Sequence, residues 1–569
     1  MADRTVERGF QNAVREPLPG VVYPPAADLE RYLDAGLLEA HSWPEALAES
    51  FRQHSERELS IAPEGTLTYA EMDALTDRAA AGLLRRGLKP LDRVIFQLHN
   101  CAELLVAFIG CLKAGLIPVC TLASHREHEI GYLARHSRAR GHIVQGDDPK
   151  FDHVAFACRM KQQLPHMHAV ISVRGAARAD IPRLEDLIAG EEPSQARARV
   201  RAVPRDPFQV ALLQLSGGTT GVPKLIPRFH NEYVYQMRSV AQFLDYRADD
   251  VMLMPMPMIH NASMSCAWGP ILLVGGSFAI TAHPTVESFA ATLRRTQPTW
   301  IAAGQKQLLL RMREALERLG MHLEHVRGVW TINAAKFTRE EMRLPGIHIF
   351  GMSEGLITFS RTSDPLELRE HTVGRPISAF DRVRLLRPGT EVDVAPGEIG
   401  ELATKGPYTF HGYYDAPERN AVAFTSDGYY RSGDLMSARE ANSATYYVFE
   451  GRIKDVVDRG GEKISCEEVE AALARLPVIA DVAVIGVADE RLGERTCACV
   501  TPRAIADASA LSVATLAAHL ERLGLAKFKW PEHVEIFESL PLTNVGKIDK
   551  EALRRIVPER LRARSPGAC

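Results

Sequence analysis

Hydrophobic and polar residues follow helix-like and strand-like patterns that alternate along most of the chain. After a capping-box sequence at residues 68–71, apolar residues recur at helical spacing as far as Leu83. Residues 93–98 then form an apolar run that is typical of a buried strand. The same order returns later, where a capping box at residues 465–468 begins a helix and residues 481–487 form the next strand. This alternation predicts an α/β fold.

Two stretches are candidates for joints between compact regions of the chain. Residues 188–207 are rich in Ala, Arg, Pro and Glu and show no clear periodicity. The second candidate lies near residues 451–455, after a segment rich in Gly, Tyr and Thr. We therefore expect a large N-terminal domain over residues 1–452, with a subdomain joint near 188–207, and a small α+β domain over residues 453–569.

Composition narrows the class of protein. Of 569 residues, 46% are hydrophobic and 24% are charged, as in ordinary globular proteins. The net charge of −3 gives no electrostatic reason to expect nucleic acid or an anionic membrane as a partner. The nine Cys show no zinc-site spacing and fit reduced thiols. The first residues lack a signal-peptide pattern, and the apolar stretch at 268–280 is too short to span a bilayer, so we expect a cytoplasmic protein.

A glycine-rich loop at residues 216–224 carries the most distinctive chemistry. It holds three Gly, two Thr and Lys224 in nine residues, which is unusual for a plain turn. Tight glycine turns present backbone N–H groups to phosphate oxygens, while threonine hydroxyls add donors and lysine adds charge. The loop lacks the Gly-Lys-Ser/Thr ending of a Walker A motif, which disfavours a P-loop kinase or ATPase. The loop therefore indicates a different kind of nucleotide phosphate site.

Further motifs follow this loop in a fixed order. They are Gly-Met-Ser-Glu at 351–354, Tyr-Arg-Ser-Gly-Asp at 430–434, Gly-Arg-Ile-Lys-Asp at 451–455, Gly-Gly-Glu-Lys at 460–463 and Asn-Val-Gly-Lys at 544–547. Together with the loop, they resemble the adenylate-forming superfamily of acyl-CoA ligases, luciferases and peptide synthetase adenylation domains over nearly the whole chain. The resemblance implies a large domain of stacked sheets with flanking helices and a β-rich subdomain, followed by a small mobile α+β domain.

By this resemblance, the chain uses ATP and Mg²⁺ to convert a carboxylic acid to acyl-AMP, with release of pyrophosphate. The implied catalytic residues are Lys547, Glu354 and His260. Lys547 would neutralise charge as the carboxylate attacks the α-phosphate, and His260 would lie as a gate near that carboxylate. Glu354, together with Thr219, would ligate the metal ion. The implied ATP-binding residues are Ser216, Gly217, Gly218, Thr219, Thr220, Gly221, Lys224, Gly351, Met352, Asp434 and Arg452.

The same resemblance implies a second half-reaction, in which a thiol attacks the acyl-AMP. The small domain would rotate about a hinge at Lys454 and carry Lys547 out of the site. The turn at Gly460 and Gly461 would then lie beside the thiol channel. The expected acceptor is the phosphopantetheine thiol of a separate aryl carrier protein, and the alternative is free coenzyme A.

The His-Asn pair at residues 260–261 resembles stand-alone aryl-acid–AMP ligases of siderophore and related nonribosomal peptide pathways. Those enzymes load 2,3-dihydroxybenzoate or salicylate onto a carrier protein. Peptide synthetase domains that take amino acids carry an Asp near this place to pair with the α-ammonium group. Asn261 is neutral instead and can hydrogen-bond an ortho hydroxyl of an aromatic acid. The implied acyl-pocket residues are His260, Asn261, Ala262, Cys266, Asn333, Ala334 and Ile357.

Three positions bear on the ring substituents of the acid. The position of Cys266 resembles one that is Ser in dihydroxybenzoate enzymes and Cys in salicylate enzymes. A thiol is a weak partner for a 3-hydroxyl group, which favours salicylate, although Cys266 also fits a small buried hydrophobe without any role in selectivity. Ala262 stands where the family has an aromatic residue, and Asn333 where it has Gly. These departures favour a substituted or nitrogen-bearing acid, such as hydroxypicolinate, an anthranilate or a quinoline carboxylate, and both alternatives stay open.

Overall fold

The computed structural model describes residues 14–216, 223–304, 306–332, 334–453, 456–541 and 548–564. These residues form two compact units, and the main boundary lies between Gly451 and Arg452. The segment Ser124–Leu133 and the two described ends of the glycine-rich loop, Ser216 and Lys224, group with the smaller unit. The predicted hinge at Lys454 lies outside the described residues, so the hinge and the predicted domain limits stay predictions.

A nine-stranded sheet is the largest in the bigger unit. Its strands are β1 (Glu58–Ala62), β2 (Gly65–Thr68), β9 (Val251–Met254), β10 (Ser277–Ile280), β11 (Trp300–Gly304), β12 (Gly328–Thr331), β13 (Gly346–Gly351), β14 (Ile357–Phe359) and β15 (Arg375–Pro376). Their spatial order is β15-β14-β13-β12-β11-β9-β10-β1-β2. The strands from β13 to β1 pair in parallel, and antiparallel strands close both edges.

Two further sheets complete this unit. The six-stranded sheet holds β3 (Arg93–Gln97), β4 (Ile117–Val119), β5 (Gly141–Gln145), β6 (Ala169–Val173), β7 (Val210–Leu215) and β8 (Leu225–Phe229), in the order β6-β5-β3-β4-β7-β8. The four-stranded sheet holds β16 (Arg382–Leu386), β17 (Gly400–Lys405), β18 (Tyr430–Ala441) and β19 (Ala444–Arg452), in chain order. These are the stacked sheets and the β-rich region that the sequence predicts.

Helices connect and cover the strands. Up to β13 they are α1 (Ala26–Asp34), α2 (Trp43–Gln53), α3 (Tyr69–Arg85), α4 (Ala102–Lys113), α5 (Glu127–His136), α6 (His153–Gln163), α7 (Leu184–Ala189), α8 (Pro193–Arg201), α9 (His230–Leu244), α10 (Asn261–Ser263), α11 (Gly269–Val274), α12 (Val286–Arg295), α13 (Lys306–Leu319) and α14 (Ala335–Met342). Beyond it they are α15 (Leu366–His371), α16 (Pro417–Ala423), α17 (Cys466–Leu473), α18 (Val513–Arg522) and α19 (Lys550–Arg564). Among the described residues, no helix is both long enough and apolar enough to cross a membrane.

One hydrophobic core joins the two large sheets. Phe96 of the six-stranded sheet and Trp330 of the nine-stranded sheet belong to the same buried cluster. Helix α4 is buried along nearly its whole length, which explains why its sequence is apolar on all sides. Helix α3 begins with the predicted capping box, in which the Thr68 hydroxyl accepts from the Glu71 N–H and the Glu71 carboxylate accepts from the Thr68 N–H. The predicted α/β class is therefore confirmed.

The stretch 188–207 contains a helix that its sequence pattern does not reveal. Helix α8 begins after Glu192, whose carboxylate accepts from the Gln195 N–H, and only two of its residues are buried. Arg197 of this helix binds Asp73 at 2.8 Å and Asp77 at 3.0 Å, both on α3. Because so few positions are buried, the apolar periodicity is weak, although the helix packs firmly on the larger unit.

The smaller unit contains a five-stranded sheet. Its strands are β20 (Val456–Arg459), β21 (Glu462–Ser465), β22 (Ile479–Asp489), β23 (Gly493–Pro502) and β24 (His533–Ile536), in the order β21-β20-β23-β22 with β24 beside β23. The Ser465 hydroxyl accepts from the Glu468 N–H and begins α17, as predicted. Cys497 and Cys499 lie buried in one core on one side of β23, as their spacing predicts, while Ala498 belongs to the other core.

Candidate active site

The loop after β9 carries the predicted acyl-pocket residues, and it is referred to below as the acyl loop (residues 260–268). His260 is exposed and precedes α10, where its Nδ1 accepts a hydrogen bond from the Ala262 N–H at 3.3 Å. Helix α10 continues directly into a π-helical turn at Met264–Trp268. The Ser265 hydroxyl donates to the Asn261 carbonyl at 2.9 Å. Single π-helical turns inside helices frequently occur at functional sites, which agrees with the predicted role of this loop.

Tyr233 of α9 fixes the amide of Asn261. Its hydroxyl donates to Asn261 Oδ1 at 2.7 Å, and both side chains are buried. Burial raises the pKa of Tyr233, so the phenol is a neutral donor at physiological pH. Residues 260–268 include no Asp or Glu. The acyl loop therefore carries a neutral amide in a fixed orientation, with no carboxylate beside it in the loop.

Cys266 lies in the main hydrophobic core. Its side chain is 1% exposed, and burial raises the pKa of the thiol to about 12. Its Sγ lies 3.5 Å from the Ser265 hydroxyl, and its carbonyl accepts from the Tyr246 hydroxyl at 3.1 Å. The thiol is therefore neutral and weakly polar, as both interpretations of this residue require.

The remaining acyl-pocket residues lie on the nine-stranded sheet or directly after one of its strands. Ile357 is buried at the start of β14 and pairs with Gly351 at the end of β13. Ala334 is buried and follows β12, where its N–H donates to the Thr331 hydroxyl at 3.3 Å. Asn333, one residue earlier, lies outside the described residues, so its role stays a prediction.

Glu354 lies in the tight turn between β13 and β14. Its side chain is 7% exposed, which is low for a carboxylate in a turn. The next residue, Gly355, has a φ of +158°, and a Cβ there would lie 2.8 Å from Thr409 Cα. Only glycine fits this close approach, so the turn holds Glu354 against the segment that contains Thr409. Met352, earlier in the turn, is half-buried.

Two buried tyrosines connect Glu354 to strand β18. The Tyr413 hydroxyl donates to Glu354 Oε1 at 2.8 Å, and its oxygen lies 2.9 Å from the Tyr430 hydroxyl oxygen. Burial and the nearby Glu354 carboxylate raise the pKa of Tyr430 well above its usual value, and Asp434 adds to this effect. Asp434 is 3% exposed, and its N–H donates to the Ser432 hydroxyl at 3.0 Å. The predicted metal ligand Glu354 and the predicted ATP-binding residue Asp434 therefore lie near the same tyrosine.

Arg228 at the end of β8 connects the acyl loop to the Glu354 turn. Its fully buried guanidinium donates to Glu232 Oε1 at 2.8 Å. It also donates to the carbonyl oxygens of Ser353 at 2.6 Å and Tyr408 at 3.0 Å. The guanidinium carbon lies 5.1 Å from the centre of the Tyr233 ring. One side chain thus contacts the residue before Glu354 and the tyrosine that holds Asn261.

The motifs predict no role for Arg228, Tyr233 or Tyr413. Of these three residues, only Arg228 could have been singled out from the sequence, because it is a charged residue in an apolar strand with Glu232 four positions later. A charge in such a strand requires a buried partner. Tyr233 and Tyr413 carry no such signal because their partners are distant in the sequence.

The other predicted site residues are described by the structure only in part or not at all. Ser216 and Lys224 pair through the Ser216 N–H and the Lys224 carbonyl at 3.0 Å. Gly460 and Gly461 form the turn between β20 and β21 with φ of +58° and +89°. The side chain of Arg452 is not described. Gly217, Gly218, Thr219, Thr220, Gly221, Lys454 and Lys547 lie outside the described residues, so their roles stay predictions.

A large unit of stacked sheets, a small α+β unit and a buried glutamate in the turn between β13 and β14 define an adenylate-forming enzyme. The profile of the family described as "AMP-binding enzyme" matches residues 47–414. The profile described as "AMP-binding enzyme C-terminal domain" matches residues 468–547. The chain belongs to the AMP-binding enzyme family, which confirms the family membership that the motifs predict.

Known relatives resemble the chain over almost its entire length. A 2,3-dihydroxybenzoate-AMP ligase of Bacillus subtilis is 35% identical, with 92% of this chain and 98% of the relative aligned. A salicyl-AMP ligase / salicyl-S-ArCP synthetase of Mycobacterium tuberculosis is also 35% identical, with 95% and 94% aligned. The apo structure of MbtA from Mycobacterium smegmatis matches with a TM-score of 0.70 and 34% identity, covering 94% of this chain and 99% of that one. Other relatives, at 34% and 36% identity, are named as a CoA synthase and a CoA ligase.

Proposed function

We propose that this enzyme activates an aromatic carboxylic acid with ATP to form an aryl-AMP and pyrophosphate. It then transfers the aryl group to the phosphopantetheine thiol of an aryl carrier protein. The alternative acceptor is free coenzyme A. The names of the relatives support the substrate class, because 2,3-dihydroxybenzoate and salicylate are both aromatic acids with an ortho hydroxyl group.

The buried contact between Tyr233 and Asn261 is the observation that carries this proposal. An α-amino acid substrate needs a carboxylate to pair with its ammonium group, because an unpaired buried charge is costly. The acyl loop offers a neutral amide, whose orientation is fixed by the hydrogen bond of 2.7 Å from Tyr233. A neutral amide suits a hydroxyl, an amino group or a ring nitrogen at the ortho position of an aromatic acid. The site thus favours an aryl acid over an amino acid.

Glu354 and Asp434 are the described residues suited to the nucleotide end of the site. Glu354 is a hard oxygen donor whose Oε1 is held by the Tyr413 hydroxyl, and this donor type fits Mg²⁺. When bound, Mg²⁺ supplies positive charge at the phosphates. Asp434 is a buried carboxylate next to Gly433, whose φ of +74° and free space leave room for a ligand beside the backbone. Asp434 would accept hydrogen bonds from the ribose hydroxyl groups.

ATP–pyrophosphate exchange against a panel of acids tests the proposal. The panel contains salicylate, 2,3-dihydroxybenzoate, anthranilate, hydroxypicolinate, quinaldate, amino acids and fatty acids. We expect exchange with at least one aryl acid and none with amino acids or fatty acids. Exchange with a nitrogen-bearing or bulkier acid would show that Ala262 and Asn333 set the preference. Exchange with amino acids or fatty acids alone would overturn the proposed substrate class.

A substitution of Cys266 tests how the ring is recognised. We expect Cys266→Ser to raise the use of 2,3-dihydroxybenzoate relative to salicylate by about tenfold, because a serine hydroxyl pairs with a 3-hydroxyl group that a thiol leaves poorly satisfied. The measurement is the ratio of kcat/KM for the two acids in the exchange assay. Cys111→Ser is the control, because Cys111 is buried in the same core but lies on α4. An unchanged ratio in Cys266→Ser would show that this residue has no role in selectivity.

The acceptor is identified separately by competition. The purified enzyme with bound aryl-AMP is incubated with a phosphopantetheinylated aryl carrier protein and coenzyme A together. The thioesters formed with the two acceptors are then quantified. We expect the carrier thioester to predominate. Predominance of the coenzyme A thioester would show that coenzyme A, and not a carrier protein, is the preferred acceptor. The proposed adenylation step would be unaffected.

A further inference from the structure

Two histidines and an aspartate form a compact cluster on the larger unit, outside the site described above. The Nε2 atoms of His99 and His153 both lie 3.0 Å from Asp148 Oδ2. One potential ligand atom from each of the three residues lies within 4.8 Å of the others. None of the three is among the residues assigned to the candidate active site. The cluster is referred to below as the His-Asp-His cluster.

The fold brings these residues together from separate parts of the chain. His99 follows β3 and Asp148 follows β5, and these two strands are parallel neighbours, so both residues lie at the same edge of the sheet. His153 is the first residue of α6. Its side chain is 0% exposed and that of Asp148 is 10% exposed, while the side chain of His99 is 33% exposed. Two members are therefore rigidly held, and the third leaves the cluster open to solvent.

The three side chains offer two imidazole nitrogens and one carboxylate oxygen, which is a donor set that Zn²⁺ and related divalent transition metals favour. In the described structure, both imidazoles contact the same carboxylate oxygen. A metal ion would bind Nε2 of each neutral imidazole after its proton has shifted to Nδ1, and the Asp148 carboxylate would supply the oxygen donor. Because the His99 side chain is 33% exposed, water can reach the cluster and supply a fourth ligand. The ring of His283 lies 5.2 Å from the ring of His99, centre to centre.

We propose that the His-Asp-His cluster of His99, Asp148 and His153 is a binding site for a divalent transition metal ion of the Zn²⁺ type. This site is separate from the magnesium that accompanies ATP, because its nitrogen donors do not suit a hard cation such as Mg²⁺. The proposal does not depend on the substrate of the enzyme.

The position of the cluster suggests what the metal ion does. Asn100, next to His99, donates from Nδ2 to the Met256 carbonyl at 2.8 Å and accepts at Oδ1 from the Met258 N–H at 2.7 Å. Met256 and Met258 precede the acyl loop. A metal ion that fixes His99 would also fix the turn that contains Asn100, and so would stiffen the segment leading into the acyl loop. The metal ion would therefore act as a structural brace for this segment.

Metal binding is measured on the full chain without a polyhistidine tag. The wild type is titrated with Zn²⁺ by calorimetry in the absence of nucleotide, and with Co²⁺ by visible absorption. We expect one Zn²⁺ per chain and a Co²⁺ spectrum without sulfur-to-metal charge transfer, since the ligands are nitrogen and oxygen. Zn²⁺ should also raise the midpoint of thermal unfolding, because it binds the folded chain.

His99→Gln and Asp148→Asn should each weaken Zn²⁺ binding by at least about tenfold. His41→Gln should leave it unchanged, because His41 is an exposed histidine that pairs with a single carboxylate, Glu39. His99 is partly exposed, so its variant is expected to fold, and Asp148→Asn gives a second test if it does not. Absence of saturable binding, equal binding in the wild type and either folded variant, or a thiolate band with Co²⁺ would each overturn the proposal.

Discussion

Arg228 is the residue that joins the described parts of the candidate site. Burying a guanidinium is costly unless it is paired and fully hydrogen-bonded. Burial raises the pKa of Glu232, and the nearby Arg228 charge opposes that rise. The other N–H groups of Arg228 donate to the carbonyls of Ser353 and Tyr408 and to Gln236 Oε1. We infer that Arg228 positions the Glu354 turn relative to α9, and that it does so without touching the substrate.

Arg228→Lys is expected to fold but to lower pyrophosphate exchange by about 10–100-fold. A lysine keeps the charge beside Glu232, whereas a single ammonium group lacks the planar fork that reaches two carbonyls at once, and each such bond contributes about 1.5–3 kcal/mol. Steady-state measurements should show kcat falling and the KM for MgATP rising more than the KM for the acid.

Arg238→Lys is the control for this prediction. Arg238 lies on α9, is 40% exposed and pairs with Glu39 at the surface. The Arg238→Lys variant should catalyse pyrophosphate exchange at the rate of the wild type. If Arg228→Lys exchanged at the same rate, the positioning role of Arg228 would be wrong.

At the scale of elements, the segment before β16 contains an aspartate whose neutral form is favoured by burial. Burial raises the pKa of Asp381 to about 7, and its Oδ2 accepts from the Tyr408 hydroxyl. Its Oδ1 is buried without a hydrogen-bond partner among the described residues. Gly406 packs so closely that a Cβ there would lie 2.2 Å from this oxygen. The segment from Gly406 to Tyr408 therefore packs against the neutral form of Asp381.

Stability should depend on pH through Asp381. Its folded-state pKa lies above the usual value of 3.8, so its contribution is fully present below about pH 4 and is lost as the pH rises through 7. Asp381→Asn removes the titrating group and should flatten the pH dependence of the free energy of unfolding between about pH 4 and pH 7. Urea unfolding at several pH values measures this.

Asp393→Asn serves as the comparison for this pH series. Asp393 is an exposed aspartate that pairs with Arg384 at 2.9 Å. Its variant should keep the slope of the wild type. The same slope in Asp381→Asn would contradict the proposed protonation.

At the scale of the whole molecule, the chain consists of two units, and the two half-reactions of the proposed function need different residues from them. The larger unit holds the acyl loop, Glu354 and Asp434. The smaller unit holds the turn at Gly460 and Gly461, and the sequence motif at 544–547 belongs to the same C-terminal part of the chain. Loss of a residue that serves one half-reaction should leave the other half-reaction intact.

Lys547→Ala should lower adenylation by about 10²–10³-fold, because it removes a positive charge where negative charge develops at the α-phosphate. Transfer of the aryl group from supplied aryl-AMP to the thiol acceptor should stay within about twofold of the wild type. The two reactions are measured separately, by pyrophosphate exchange and by thioester formation. Lys550→Ala, three residues later, should leave both rates unchanged, since Lys550 pairs with Glu470 at 2.8 Å. Full adenylation activity in Lys547→Ala would refute the role of Lys547.

Features whose interacting groups are close together along the chain can be predicted from the sequence alone. The capping box at Thr68 and the N-cap at Ser465 join residues three positions apart, and the alternating spacing of Cys497 and Cys499 places both on one side of a strand. The order of the motifs identified the family without any structure. The apolar pattern does not predict helix α8, because only Ala196 and Val200 are buried in it and helical periodicity needs a wider apolar stripe.

Contacts between residues that are far apart along the chain can be identified only from the tertiary structure. Arg228 binds the carbonyls of Ser353 and Tyr408, which lie 125 and 180 residues away along the chain. His99 and Asp148 are 49 residues apart and meet because β3 and β5 are parallel neighbours. No local pattern encodes such contacts, because they follow from strand order and from the packing of helices between two sheets. The chemistry of each residue is thus readable from the sequence, whereas its partner depends on the fold.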